Sequence, residues 1–416
     1  MKKYAQTAHL LILFFTLATL RSQAQNAGNF ETFARQHDSI FFSLYLKKDT
    51  QNYRLLLQDW ERRYAQLDAA TRKKYAAERA DAHYNLACTY ALCGQKTPAL
   101  DHLGRAIEAG YTNYSHLIAD PDLEIIRSEP RFAALAEPIR AVGDYLFILR
   151  HAAAYNVADA RPWPAFHYDP AEKPELKALR ETYRLDSVAG SGNDLSQALN
   201  VLHWVHEMVP HDGDHGNPAQ HNAQAMIEAC RGGKRGLNCR GLATVLNECY
   251  LSLGFASRLV TCLPKDSLGI DPDCHVINIV FVPSLDKWIW VDPTYDTWVM
   301  NEKGELLGIA EVRERIILDQ PLLINPAANW NHRYTPDKAE YLYRYMAKNL
   351  YILQCPVDSA WDLETPAAGK TMRYVQLLPL DYFKQEPAVR EFSDSASGAT
   401  YIFYNTNDPV NFWKRP

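Results

Sequence analysis

Gly236-Leu237-Asn238-Cys239-Arg240-Gly241-Leu242-Ala243, residues 236–243, reads as the opening of a helix. Asn238 is a good N-cap, and the helix expected over 239–253 is closed by Gly254. Leu242, Val245, Leu246, Cys249 and Leu253 fall at the i, i+3, i+4, i+7 spacing of a core-facing stripe. Cys239 occupies the first turn, where the helix macrodipole favours thiolate over thiol. Cys249, mid-helix on the apolar face, reads as packing. Strands follow over 257–263, 274–282 and 287–291, and His275, Ile277, Ile279 and Phe281 share one face of the second. A hairpin folded tightly around Pro283-Ser284 sets His275 directly opposite Asp292. Side chains so opposed have Cβ atoms about 5 Å apart, close enough for a carboxylate–imidazole hydrogen bond.

A helix-initiating cysteine, a strand histidine and a strand-end aspartate before Pro-Thr, in that order, resembles the transglutaminase-like superfamily. The resemblance rests on residues 236–243, Gly254-Phe255-Ala256-Ser257-Arg258-Leu259-Val260, Asp273-Cys274-His275-Val276 and Lys287-Trp288-Ile289-Trp290-Val291-Asp292-Pro293-Thr294, and covers roughly residues 190–300. It implies a papain-like α+β core with an antiparallel sheet. It also implies Cys239 as nucleophile, His275 as general base and acid, and Asp292 as the group that orients the imidazole. An acyl-thioester at Cys239 is then resolved by water, giving hydrolysis, or by an amine, giving cross-linking. The chain departs from the family where Val276 and Ile277 stand in place of an aromatic residue after the histidine. The oxyanion side chain comes from upstream in this family; Trp204 and His211 are the candidates, beside the backbone N–H of Cys239. Asp266, Asp271 and Asp273 lack EF-hand spacing, which disfavours a calcium-activated cross-linker. Each residue also has a plain structural reading: Cys239 as half of a disulfide, His275 as a satisfied strand histidine, Asp292 as a turn residue. Cys262 and Cys274 flank a short loop and are a candidate bridge.

His203, His206, His211, His215 and His221, with Asp212 and Asp214, crowd the stretch before the nucleophile. His203 and His206 are i, i+3, without the i, i+4 spacing and glutamate of the zincin motif. No metal or other cofactor is therefore expected, and residues 211–216 read as a polar loop lining the cleft.

The whole chain has 416 residues, 47% apolar and 22% charged, enough for a large core and two to three domains. Its 44 basic and 49 acidic residues are mixed, with no basic stripe, which argues against a nucleic-acid partner. Lys2 and Lys3, the apolar run Leu10 to Leu20 and Ser22-Gln23-Ala24 read as a signal peptide cleaved after Ala24. Export to the periplasm or beyond, without a membrane span, is the expectation. Residues 25–150 are expected to be helical, and Leu86, Ala87, Tyr90, Gly94, Ala99, Leu103 and Ala106 resemble one tetratricopeptide repeat. That resemblance implies a groove for a protein partner, although Tyr111 stands where the family has proline; with a single clear repeat, a helical packing domain that braces the rest is the favoured reading. A Pro-rich linker over 151–177, a catalytic core over 178–330 and a C-terminal helix-and-strand region over 331–416 complete the division. The favoured function is an exported thiol-dependent hydrolase cleaving an amide in a peptide or peptidoglycan-like substrate. The alternatives are a catalytically idle binding module and an amine-accepting cross-linker.

Overall fold

The computed structural model describes residues 30–233, 235–266, 268, 273–381 and 388–416. The signal-peptide reading of residues 1–24 lies outside them. Among the described residues no helix is long and apolar enough to cross a membrane. The chain divides into two compact units between Ile148 and Leu149.

The first unit is helical throughout its described residues. Its centre is the helical hairpin Ala76–Leu92 and Lys96–Glu108, in which Leu86, Ala87, Ala99, Leu103 and Ala106 are fully buried. Alanines at facing positions let the two backbones approach, and the leucines fill the remaining space. Tyr111 stacks on Tyr84 with ring centroids 4.3 Å apart, and the Tyr84 hydroxyl donates to Asp120 at 2.7 Å. The tyrosine in the proline position thus seals the end of the hairpin.

The second unit carries a seven-stranded sheet. Its strands are β1 (Ser257–Leu263), β2 (His275–Val282), β3 (Lys287–Val291), β4 (Ile352–Pro356), β5 (Thr371–Leu377), β6 (Val389–Ser393) and β7 (Thr400–Thr406). The order across the sheet is β6-β7-β5-β4-β1-β2-β3, antiparallel except for the β7–β5 pair. The C-terminal region therefore completes the sheet of the core. Pairing between β1 and β4 spans almost a hundred residues of chain, which no local pattern specifies.

The helix Cys239–Ser252 packs on β1 and β2 and is covered by the helices Pro174–Thr182, Asp194–Met208 and Ala223–Cys230. All twelve residues from Gly241 to Ser252 are buried, so the helix is enclosed on every side where the sequence showed one apolar stripe. Its buried polar residues have partners: Glu248 accepts from the backbone N–H groups of Ala223 and Asp362, and Asn247 bonds Ser359. Burial holds the Glu248 carboxyl up at about 8. The helix Asp194–Met208, for which the sequence suggests Asp194 as the cap, is capped one residue earlier by Asn193. Asp194 instead accepts from Ser284 in the β2–β3 turn.

The β2–β3 register corrects the hairpin read from the sequence. Val282 pairs with Lys287 and Asn278 with Val291, so Pro283-Ser284-Leu285-Asp286 is a four-residue turn. Pro283–Leu285 form a 3-10 turn and Asp286 takes φ 52° to rejoin the strand. His275 is consequently displaced two residues from direct opposition to Asp292. A shift of two conserves the face of every side chain, because the strand period is two. The Cys262–Cys274 bridge is not formed: all eight cysteines are free.

Candidate active site

Cys239 is set by its helix cap. The Asn238 side chain accepts from the Gly241 N–H at 3.1 Å, and Asn217 grips Asn238 from outside, donating to its side chain at 2.8 Å. A Cβ on Gly241 would lie 2.6 Å from the Asn217 side chain, so glycine is what lets this clamp close. Arg240 then ties the first turn to the sheet through Glu364 at 2.7 Å and Thr261 at 2.9 Å.

His275 and Asp292 meet across the ends of β2 and β3. The imidazole Nε2–H donates to Asp292 Oδ2 at 2.7 Å, with both side chains essentially inaccessible to water. Asp292 accepts two more hydrogen bonds, from the Tyr341 hydroxyl at 2.6 Å and the Thr294 N–H at 2.9 Å. His275 Nδ1 is buried without a hydrogen-bond partner, leaving it as the ring nitrogen available to the thiol. Burial alone would raise the Cys239 thiol. The interactions with His211 and His275, and the Val276 N–H, outweigh it and lower the thiol to about 6. Burial opposes charge on His275, but Asp292 and Cys239 more than compensate and raise it to about 10. Burial likewise opposes charge on Asp292, and His275 and Tyr341 hold its carboxyl below its ordinary value. Between those two values the favoured state is thiolate with imidazolium.

The structure separates the two oxyanion candidates. Trp204 packs against Tyr183, with centroids 5.7 Å apart, at the edge of the helical core. His211 interacts with Cys239 and is held in one tautomer: Trp330 Nε1–H donates to its Nδ1 at 3.2 Å, so Nε2 carries the proton. Its backbone is fixed too. Asn331 accepts from the His211 N–H at 2.8 Å and donates to its carbonyl at 2.9 Å, while His211 bridges to Leu237, two residues before Cys239.

The other histidines brace loops. His206 Nδ1 contacts the Pro293 carbonyl at 3.0 Å and Nε2 the Asn329 side chain at 2.9 Å. Both ring nitrogens are committed, so although His206, Glu207 and His332 place ligand atoms within 4.8 Å of one another, His206 has none to offer a metal. His203 pairs with Asp296, and His215 with Asp212.

Tyrosines of the C-terminal region are the residues that sequence reasoning missed. Residues 339–352 read as a tyrosine-rich helix without chemistry. The segment Ala339–Met346 instead supplies Tyr341 to Asp292 and sets Tyr345 against His275, with ring centroids 5.2 Å apart. Nothing in its pattern names a partner on another strand end; the density of tyrosine was the one available signal. Tyr341→Phe keeps the packing and removes one donor to Asp292. It is expected to lower turnover about tenfold, in line with one charge-assisted hydrogen bond, while leaving the melting temperature within a few degrees. A thermal melt run beside the kinetics checks both.

An N-terminal helical region is thus followed by a core that is similar, over part of its length, to the transglutaminase-like superfamily. Residues 182–293 match the model of the transglutaminase-like superfamily, a class of cysteine-dependent enzymes. None of the curated proteins matches the chain. Among solved structures, a candidate cysteine protease from Cytophaga hutchinsonii aligns at 19% identity over 38% of this chain and 49% of that chain, with a TM-score of 0.24. The chain therefore aligns with about half the length of that protein.

Proposed function

We propose that the protein is an exported thiol hydrolase that cleaves an amide bond in a peptide or peptidoglycan-like substrate. The observation that carries this reading is the lowered Cys239 thiol beside a buried, aspartate-backed imidazole. In the proposed reaction the Cys239 thiolate attacks the carbonyl carbon. The oxyanion is stabilised by the Cys239 N–H and by Nε2–H of His211, which Trp330 keeps aimed without reorganisation during the reaction. The C–N bond breaks as His275 Nδ1 gives its proton to the leaving nitrogen, leaving a Cys239 thioester. Water then loses a proton to Nδ1, adds to the thioester and releases the acid, restoring thiolate and imidazolium. Asp292 and Tyr341 hold the ring with Nδ1 facing the thiol throughout.

The test is intact-mass trapping. Purified mature protein mixed with activated ester and peptide-amide substrates should show a transient acyl adduct on Cys239 and free acid as product. Cys239→Ala should show neither. An added primary amine separates the hydrolase from the cross-linker: amide product outgrowing acid would favour acyl transfer. A Cys239 that forms no adduct with any acyl donor would leave the binding-module reading in its place.

A further inference from the structure

Beside the nucleophile, on the His211 side, lies a cavity of about 350 Å³ whose walls include His211, Asp212, Asp214, Arg235, Trp330 and Arg333. It adjoins the reacting centre through two residues already described: His211, which interacts with Cys239, and Gly236, three positions before it. The charges on its wall are not equally engaged. Asp212 is already engaged, taking His215 Nδ1 at 2.8 Å, the Asp214 N–H at 3.1 Å and the Gly236 N–H at 3.5 Å. Asp214 is exposed to solvent. Arg235 spends two N–H groups on neutral carbonyls, those of Gly216 and Gly236. Arg333 lies over the Trp330 ring at 5.3 Å, and neither arginine has a carboxylate partner within ion-pair distance among the described residues. A guanidinium stacked on an indole is oriented but still has its edge N–H groups to give, and that planar fork fits a carboxylate.

From this we infer that the cavity is a substrate subsite for a carboxylate carried by the peptide close to the scissile bond, with Arg333 and Arg235 as the cations that receive it and Trp330 as its apolar wall. Trp330 then has two tasks, holding the His211 tautomer and flooring the pocket, so that subsite and oxyanion donor are built on one ring. The inference rests on the proposed thiol chemistry and adds to it a preference for acidic over basic substrates. The cations also raise the local concentration of anionic groups near the thiolate, an effect that salt weakens.

Charged methanethiosulfonates test this without a known substrate, because each attaches to a thiolate and places its charge a short ethyl chain beyond the sulfur. Rates at Cys239 would be followed by peptide mass spectrometry at pH 6 with the anionic sulfonatoethyl, the cationic trimethylammonioethyl and the neutral methyl reagent. Exposed Cys93 of the helical unit serves as the internal reference. The anionic-to-cationic rate ratio at Cys239 should exceed that at Cys93 by about tenfold or more at low salt. In Arg333→Gln it should fall several-fold, in Arg333→Gln with Arg235→Gln it should approach the Cys93 ratio, and in Arg333→Lys most of it should remain. In every variant each charged-reagent rate at Cys239 is divided by the neutral-reagent rate of that same variant, which removes any change in the nucleophile itself from the ratio. A ratio at Cys239 equal to that at Cys93, or one unchanged in the double variant, overturns the subsite while leaving the thiol chemistry standing. A Cys239 no faster than Cys93 with the neutral reagent overturns the thiolate itself, and the subsite with it.

Discussion

Asp292→Asn is expected to lower kcat by about ten-thousandfold, the scale seen when the acid behind a catalytic imidazole loses its charge. Three donors converge on this carboxylate: His275 Nε2–H and the Tyr341 hydroxyl on Oδ2, and the Thr294 N–H on Oδ1. Two acceptor oxygens satisfy all three. An amide has one oxygen, so whichever way the introduced side chain is turned, its NH2 faces a donor. If the oxygen stays toward His275, the NH2 opposes the Thr294 N–H; if it is flipped, the NH2 opposes the imidazole and stops it from keeping Nδ1 toward Cys239. With either orientation a fully buried donor is stranded, at a cost of about 2 kcal/mol in stability. The loss of charge also removes the main support for imidazolium, so His275 should titrate well below about 10 and the Cys239 thiol should rise from about 6. Denaturant unfolding, kinetics and thiol titration of the one variant read all three effects.

Gly236→Ala is also expected to be damaging, although the residue bears no chemistry. A Cβ there would sit 2.3 Å from the Pro210 carbonyl oxygen and 2.8 Å from the Asp212 Cβ. The first of these is backbone, so no rotamer change relieves it. The two chain segments must separate, breaking the Leu237 N–H to Pro210 carbonyl bond of 3.1 Å and the Asp212 N–H to Leu237 carbonyl bond of 2.7 Å. Those bonds bring His211 beside Cys239. Stability should fall by about 2 kcal/mol, and turnover by about a hundredfold once His211, the proposed oxyanion donor, is displaced. The Cys239 thiol should move upward as it loses the interaction with His211, while the His275–Asp292 pair remains. A variant with wild-type turnover would remove His211 from the site.

The pH profile of turnover has a defined sign. Cys239 is lowered, so its thiolate is lost as pH falls through about 6; His275 is raised, so its imidazolium is lost as pH rises through about 10. The rate should therefore climb on the acid side near the first value and decline toward the second, a bell set by the pair rather than by either residue. Stability from the ion pair follows the same window. The thiolate contribution is lost below it and the imidazolium contribution above it.

The parts of this site that were legible in the sequence are those specified locally. Asn238 and Gly254 bracket a helix, and alternation marks β2, so Cys239 and His275 could be placed on their elements from short windows. The pairing of His275 with Asp292 was read through a turn that was too tight, yet the error of two residues kept both side chains on one face. A shift of one would have separated them. The enclosure of the Cys239 helix, the return of β4 beside β1, and the choice of His211 over Trp204 all depend on contacts between distant segments. Local periodicity carries no record of those contacts. Tyr341 is the extreme case, since it reaches Asp292 across 49 residues of chain from a segment that offers only its composition.

The most direct measurement is the rate of Cys239 alkylation by limiting iodoacetamide as a function of pH, resolved by peptide mass spectrometry, in wild type and in His275→Ala. The wild-type rate should rise with a midpoint near 6 and hold through neutrality. In His275→Ala the midpoint should move up toward the ordinary cysteine range of about 8.5, costing about a hundredfold in rate at pH 6. A wild-type midpoint already in that ordinary range, or one that His275→Ala leaves unmoved, would contradict a thiolate–imidazolium pair at this site.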